Sequence, residues 1–266
     1  MHLLRNVSRH LVTALTLALG LMLLPMGFVA FWLWRLAPGG SRDARARRIL
    51  GIVRGAFGLL LAWLELIGQL RVERDVTALP DGPCVLVAHH ASLLDTAIVL
   101  ATVPHTVSVV RPDIWRRPIL RGLFDLAAYV PGAGRDPFAV ERMIDDAVDR
   151  LRRGFRVLVF PEGTRSAKLS PFGRSAFEIA CRADVPVVPL AIRCDPPWLD
   201  KDRGFFHAPP TTPHLTLRAL SAVAPADHGS SGRRLRDAIY KALATALHDV
   251  QPTERATPRA HGSDRR

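Results

Sequence analysis

One stretch of the chain, VLVAHHASLLD from Val85 to Asp95, constrains the fold more than any other. Its apolar start predicts a short buried strand. Ser92, with Asp95 three residues later and a second apolar run after it, predicts the N-terminus of a helix. His90 then lies on the turn between strand and helix, which is where α/β sheets place their chemistry. We therefore expect an α/β fold with a functional site at this turn.

His90 and Asp95 are the candidate catalytic residues of this turn. On one continuous helix, a spacing of five would point the two side chains roughly 140° apart. Because His90 precedes the helix, its ring can fold back toward Asp95. A carboxylate on one ring nitrogen leaves the other free to take a proton from a substrate hydroxyl. In a simpler interpretation, Asp95 only caps the helix and His90 is only a polar turn residue.

A second stretch, VLVFPEGTRS from Val157 to Ser166, repeats the pattern of a buried strand that runs into a polar turn. Gly163 allows backbone to approach a ligand closely. Arg165 offers a planar fork that suits phosphate oxygens, and Thr164 adds a hydroxyl. Glu162 belongs to the same substrate-binding turn, where we expect it to orient Arg165 or another donor. A base on one turn and an anion clamp on the other predict a site for a phosphorylated alcohol.

The pair HHASLLD and FPEGTRS resembles the glycerolipid acyltransferases, in particular the 1-acylglycerol-3-phosphate (lysophosphatidic acid) acyltransferases. The segment VPVVPL, Val185 to Leu190, resembles the fourth sequence block of that family. In the second block only Arg135 fits, while Tyr129 stands where glycine is usual. His89 stands where the family often has asparagine. The resemblance covers roughly residues 80 to 195, and two specific motifs in order are stronger than either alone.

The resemblance implies transfer of a fatty acyl group from acyl-CoA or acyl-carrier protein to a lysophospholipid hydroxyl. The implied acceptor is 1-acylglycerol-3-phosphate, with phosphatidic acid as the product and with no cofactor or metal beyond the acyl co-substrate. Arg135 would join Arg165 on the phosphate, although a surface arginine is an equal interpretation. The segment CDPPWLDKDRGFF, residues 194–206, leaves open another lipid or a specialised acceptor of the aryl-polyene type.

Residues 1–36 are expected to form an N-terminal membrane anchor. From Leu11 to Trp34 no residue is charged, and this length suffices to cross a bilayer. A cleaved signal peptide is the alternative, but its apolar region is normally shorter and ends in a small-residue cleavage site. Here Trp32, Trp34 and Arg35 close the segment. The arginines that follow predict a catalytic domain on the cytoplasmic face of the inner membrane.

Residues 37–71 are expected to be a basic linker followed by an interfacial or re-entrant helix. The stretch 55–70 is apolar, but it contains Glu65 and is short for a second span. A core helix of the soluble domain is the alternative interpretation for this stretch.

The acyltransferase domain is expected over residues 72–250, as a mixed sheet flanked by helices and preceded by the membrane-anchoring segment. Strands are predicted over six stretches: 84–88, 106–110, 127–130, 156–160, 186–192 and 214–220. Helices are predicted over four stretches: 93–102, 138–153, 173–183 and 231–249. Residues 251–266 are basic, lack apolar periodicity and are expected to be a disordered tail.

The formal net charge of +12 predicts an anionic partner such as an anionic membrane surface. A non-catalytic basic membrane-binding or nucleic-acid-binding protein fits this charge equally well. However, the chain shows no recognisable nucleic-acid motif, its arginines are spread widely, and we expect no nucleic-acid partner. That alternative also explains neither polar turn. The cysteines are scattered without a metal-type pair, which argues against a structural zinc site.

Overall fold

The computed structural model describes residues 40–134, 136–201 and 208–249 of the chain. Within these residues, seven strands form one sheet with the order β1-β7-β6-β2-β5-β3-β4. The strands are β1 (Arg71–Asp75), β2 (Val85–Ala88), β3 (Thr106–Val110), β4 (Val130–Pro131), β5 (Arg156–Val159), β6 (Val187–Asp195) and β7 (His214–Ala219). Neighbouring strands are parallel except β6 and β7, which are antiparallel. The prediction of a mixed α/β sheet flanked by helices is therefore confirmed.

Helices cover both faces of the sheet. They are α1 (Arg42–Leu66), α2 (Leu93–Thr102), α3 (Pro112–Trp115), α4 (Pro118–Leu126), α5 (Pro137–Arg152), α6 (Ser175–Ala183) and α7 (Gly232–Asp249), with a short 3-10 turn at Pro225–His228. On one face, α5, α6 and α7 bury a core that the first half of α1 completes. On the other face, α2 and the second half of α1 close a second core. The central strands β2 and β5 are thus buried from both sides, as their unbroken apolar runs require.

Most predicted elements lie where the sequence places them, and the exceptions have identifiable causes. The sequence does not predict strand β1, because RVERD is mostly charged and its side chains are mostly exposed on the edge strand of the sheet. The predicted strand 127–130 is wrong except at its end. Helix α4 runs to Leu126, and Ala128 has a positive φ of 59° that ends the helical segment in a turn before β4.

Helix α1 begins at the N-cap Ser41, whose hydroxyl accepts a hydrogen bond from the Ala44 amide at 3.2 Å. It therefore takes in most of the segment predicted as a basic linker. The carboxylate of Glu65 accepts a hydrogen bond from the amide of Val72 at 2.9 Å, so this charge secures the start of β1. The predicted anchor 1–36 and the predicted tail 251–266 lie outside the described residues.

Two apolar stripes run along opposite sides of α1. One stripe is buried against the domain and comprises Ala46, Ile49, Leu50, Leu61 and Leu64. The other is exposed and comprises Ile52, Leu59, Trp63 and Leu66, with Leu59 at 75% and Leu66 at 78% exposure. At roughly 100° per residue the centres of the two stripes lie about 140° apart. Among the described residues, α1 is the single helix long and apolar enough to cross a membrane.

Candidate active site

The two polar turns lie side by side at the carboxyl-terminal ends of the central strands β2 and β5. Strands β2 and β5 are parallel neighbours, with Val87 opposite Val159, so the turns that follow them start at the same level. The amide of Ser166 donates a hydrogen bond to the carbonyl of His90 at 2.8 Å and joins the turns directly. The structure thus brings together the two motifs that the sequence singled out.

His90 and Asp95 form the expected pair. The Nδ1 atom of His90 lies 3.1 Å from Oδ2 of Asp95, and the same oxygen accepts the amides of Ala91 at 2.8 Å and Ser92 at 2.7 Å. Asp95 is only 2% exposed. Because this oxygen acts as an acceptor, Nδ1 carries the hydrogen and Nε2 of a neutral ring is left to accept a proton.

Phe160 stacks on one face of the His90 imidazole ring. The two rings stack with centroids 4.1 Å apart and planes inclined by 22°. The Asp95 contact sets one ring nitrogen, and the stacking limits rotation of the imidazole about that contact. Sequence reasoning missed Phe160, because an aromatic residue that ends an apolar strand reads as part of the core.

Glu162 is enclosed by the protein rather than facing the site. Its Oε1 atom accepts hydrogen bonds from Nδ1 of His89 at 2.6 Å and from the His90 amide at 3.1 Å, and its Oε2 atom accepts from the Ser170 amide at 3.0 Å. Its side chain has no exposed surface. Of the two expected partners, Arg165 or another donor, the described contacts of Glu162 are with other donors of the two turns.

The pKa of Glu162 reflects this environment. Burial favours the neutral acid, but the hydrogen bond from His89 and those from the Ser170 and His90 amides together lower the pKa of Glu162 below its usual range. The carboxylate is therefore ionised at neutral pH, and Nδ1 of His89 must carry the hydrogen that it shares with it.

Arg165 extends from the same turn toward a third segment. Its Nη1 atom donates to the Leu199 carbonyl at 3.3 Å, and its other guanidinium N–H groups have no acceptor within the described ranges. Gly163, with a positive φ of 70°, and Thr164 are both exposed on the turn. Arg135 lies outside the described residues, and its predicted role on the phosphate stays a prediction.

The segment 196–200 holds the helix N-terminus and Arg165 in place through main-chain carbonyls. Ser92 donates from its hydroxyl to the Trp198 carbonyl at 2.6 Å, and the Leu93 amide donates to the Leu199 carbonyl at 3.2 Å. Leu199 adopts a positive φ of 54°, a conformation that costs energy for a branched residue and is typical of functional sites. The sequence CDPPWLDKDRGFF, residues 194–206, does not predict this role, because main-chain carbonyl groups are the same whatever the side chain.

The cysteines do not contribute reactive groups to this site. Burial raises the pKa of the Cys84 thiol to about 11 and that of Cys194 to about 12, so both are protonated at neutral pH. Within the ranges that the structure describes, no three His, Cys, Asp or Glu side chains cluster in a way that could hold a metal ion.

Comparison with known proteins gives one consistent family. Residues 69–193 match the family model described as Acyltransferase. The chain is 32% identical over 114 residues to the chloroplastic 1-acyl-sn-glycerol-3-phosphate acyltransferase BAT2 of Brassica napus, covering 42% of this chain and 33% of that protein. It is 27% identical over 205 residues to the human beta enzyme of the same name, covering 73% of this chain and 71% of that protein.

A third relative, the alpha enzyme of that name from Ovis aries, is 33% identical over 144 residues, covering 50% of this chain and 49% of that protein. The chain thus spans less than half the length of two of these three relatives. Among solved structures, the 1-acyl-sn-glycerophosphate (LPA) acyltransferase PlsC of Thermotoga maritima has the same fold, with a TM-score of 0.71 and 23% identity over 94% of this chain and 97% of that chain. The family resemblance predicted from the two motifs is confirmed.

Proposed function

We propose that this chain, which matches the Acyltransferase family model over residues 69–193, is an O-acyltransferase that acylates a lysophospholipid hydroxyl. The observation that carries the proposal is the His90–Asp95 pair, in which Nε2 of His90 has no partner among the described residues. The His90 carbonyl accepts a hydrogen bond from the Ser166 amide, which joins the pair to the turn that bears Arg165. A base next to a guanidinium suits a hydroxyl that lies close to a phosphate.

The reaction follows from these groups. An acyl thioester is already activated, so no acyl-enzyme is required. Nε2 of His90 takes the proton of the acceptor hydroxyl while the hydroxyl oxygen attacks the thioester carbonyl. The tetrahedral oxyanion then collapses, the carbon–sulfur bond breaks, and the departing thiolate recovers the proton from His90. Asp95 stabilises the imidazolium that forms between these two steps.

The oxyanion needs hydrogen-bond donors, and the N-terminus of α2 does not offer them. The amides of Ser92, Leu93 and Leu94 are already bonded to Asp95, to the Leu199 carbonyl and to the Ser92 hydroxyl, respectively. By contrast, the amides of Thr164 and Arg165 have no acceptor in the part of the chain that the structure describes. We assign these two amides to the oxyanion.

The acceptor we propose is 1-acylglycerol-3-phosphate, converted to phosphatidic acid. Arg165 supplies the phosphate contact, and the relatives in three organisms are all named for this acceptor. The donor is acyl-CoA or acyl-carrier protein, and the chemistry calls for no further cofactor. Arg135 is the second phosphate ligand of this proposal.

We also propose that the enzyme works at a membrane, on the cytoplasmic face of the inner membrane. The exposed apolar stripe of α1 supports this placement, because apolar side chains such as Leu59 and Leu66 gain by entering the lipid interface. The net charge of +12 adds attraction to anionic lipid. Residues 1–36 supply the anchor in this proposal.

The test is an acyl-transfer assay on the full-length protein in lipid nanodiscs. Lysophosphatidic acid, lysophosphatidylcholine and monoacylglycerol are offered with a mixed pool of acyl-CoA and acyl-carrier-protein donors, and products are identified by mass spectrometry. We expect phosphatidic acid from the wild type and none from His90→Ala. Equal use of monoacylglycerol would reassign the acceptor, and no acylated product with any acceptor would overturn the proposed function.

A further inference from the structure

We propose that His89 is a positioning residue of the acyl-transfer site: it holds Glu162, and through Glu162 it fixes the loop bearing Arg165 against the turn bearing His90. This inference rests on the proposed function. His89 itself is buried, at 6% exposure, and the contact that its ring makes is with Glu162. Its Nδ1 atom is 2.6 Å from Oε1 of Glu162, a short and charge-assisted contact.

Glu162 closes the loop that carries the anion clamp. Its Oε2 atom accepts a hydrogen bond from the Ser170 amide, which closes residues 162–170 into a loop. Arg165 is one of the residues of this loop. Its Oε1 atom binds the His90 amide, which ties the closed loop to the β2 turn. Because the buried carboxylate is ionised, it needs the His89 donor to remain in this place.

His90 has a second, independent support. Oδ2 of Asp95 binds Nδ1 of His90 together with the amides of Ala91 and Ser92, and none of these contacts passes through Glu162. Loss of the His89 contact therefore releases Arg165 more than it releases the base. The expected signature is a higher apparent KM for the acceptor with a smaller fall in kcat.

The geometry also predicts which substitutions preserve the function of His89. The donor is Nδ1, and the side-chain nitrogen of asparagine occupies the same position along the side chain as Nδ1 of histidine. The nitrogen of glutamine instead matches Nε2, one bond farther out. His89→Asn can therefore still donate to Glu162 in place, whereas His89→Gln must displace either the carboxylate or its own backbone.

The experiment measures kcat and both apparent KM values for the wild type and for His89→Ala, His89→Asn and His89→Gln, with folding checked by circular dichroism. For His89→Ala we expect a rise of about ten- to a hundredfold in the acceptor KM, with the donor KM within about threefold. His89→Asn should stay within about threefold of wild type, and His89→Gln should resemble His89→Ala.

A matched control is His214→Ala, because His214 pairs with Glu73 at 3.4 Å on the exposed surface, where a histidine–glutamate contact contributes little. It should leave all constants unchanged. If His89→Ala does not fold, the difference in acceptor KM between His89→Asn and His89→Gln still tests the inference. Equal constants for those two variants, or a fall in kcat at unchanged acceptor KM, overturn the inference. A wild type without acyl-transfer activity would instead refute the proposed function.

Discussion

Asp95 has two proposed effects on His90: it orients the imidazole ring, and its negative charge stabilises the imidazolium. Replacement of Asp95 by asparagine tests these two effects separately. In an isolated carboxylate–histidine pair, an amide can turn its NH2 group toward the ring and impose the wrong tautomer. Here Oδ2 of Asp95 faces three donors at once: Nδ1 of His90 and the amides of Ala91 and Ser92. The introduced amide must therefore keep its oxygen on these donors.

The magnitudes follow from the contacts. Turning the NH2 group inward would leave the buried Ser92 amide and the partly buried Ala91 amide without an acceptor. At about 1–3 kcal/mol for a fully buried group and less for a partly buried one, the productive orientation is preferred by about 1–5 kcal/mol. What Asp95→Asn loses is charge. A hydrogen bond to a charged group contributes about 1.5–3 kcal/mol, and loss of that much from the imidazolium slows turnover about ten- to a hundredfold. This cost is far below the roughly ten-thousandfold expected for a wrong tautomer.

The assay is initial-rate acyl transfer to lysophosphatidic acid by Asp95→Asn, with His90→Ala and Asp95→Ala as references. Asp95→Ala leaves the amides of Ala91 and Ser92 without their acceptor and should lower the free energy of unfolding by about 1–5 kcal/mol. A folded Asp95→Asn protein that is as inactive as His90→Ala would refute the orientation argument. Full activity of Asp95→Asn would show that the carboxylate charge contributes nothing to the base.

Three further predictions address binding, stability and membrane contact. Arg165→Lys keeps the charge but loses the planar fork, so the apparent KM for lysophosphatidic acid should rise about tenfold while the KM for a phosphate-free acceptor stays unchanged. An equal rise in both KM values would contradict a phosphate contact. Because the pKa of Glu162 is lowered by folding, its stabilisation is complete above its usual range and disappears as pH falls through the lowered value. The unfolding free energy of Glu162→Gln should thus be about 1–3 kcal/mol below wild type at pH 7. The two values should converge as pH falls through the lowered pKa of Glu162, and a pH-independent gap measured by denaturant titration would contradict this. Leu59→Glu combined with Leu66→Glu should reduce sedimentation with anionic vesicles, whereas Phe138→Glu, at a 77% exposed site on α5, should not; equal loss in both would assign binding to charge alone.

The elements that sequence analysis located share one property: their signals are local. Ser92 and Asp95, three residues apart, predict the start of helix α2. The structure shows both hydrogen bonds of this pair, which together form a capping box. Strands β2 and β5 are buried on both faces and read as apolar runs. Edge strand β1 has no such signal, because its side chains are mostly exposed and its charges resemble those of a loop.

Contacts within the candidate site also differ in whether they join residues that are near or far apart in the sequence. His90 and Asp95 are five residues apart, so their contact follows from one turn and was predictable. The contacts of Glu162 with His89 and of Arg165 with Leu199 join residues 73 and 34 apart. Such contacts depend on which strands become neighbours, and a single sequence does not reveal strand order.

This division also orders how the site assembles and how it fails. The base and its carboxylate belong to one strand-turn-helix unit, so their contact requires no second strand of the sheet. The position of the Arg165 turn depends on the pairing of β5 with β2, because the hydrogen bond from Ser166 to the His90 carbonyl and the bond from the His90 amide to Glu162 both cross that pair. Substitutions that loosen the β2–β5 junction should therefore weaken acceptor binding before they disable the base. A kcat that survives while the acceptor KM rises is the kinetic sign of a loosened junction, whereas loss of kcat at constant KM points to the helix start itself.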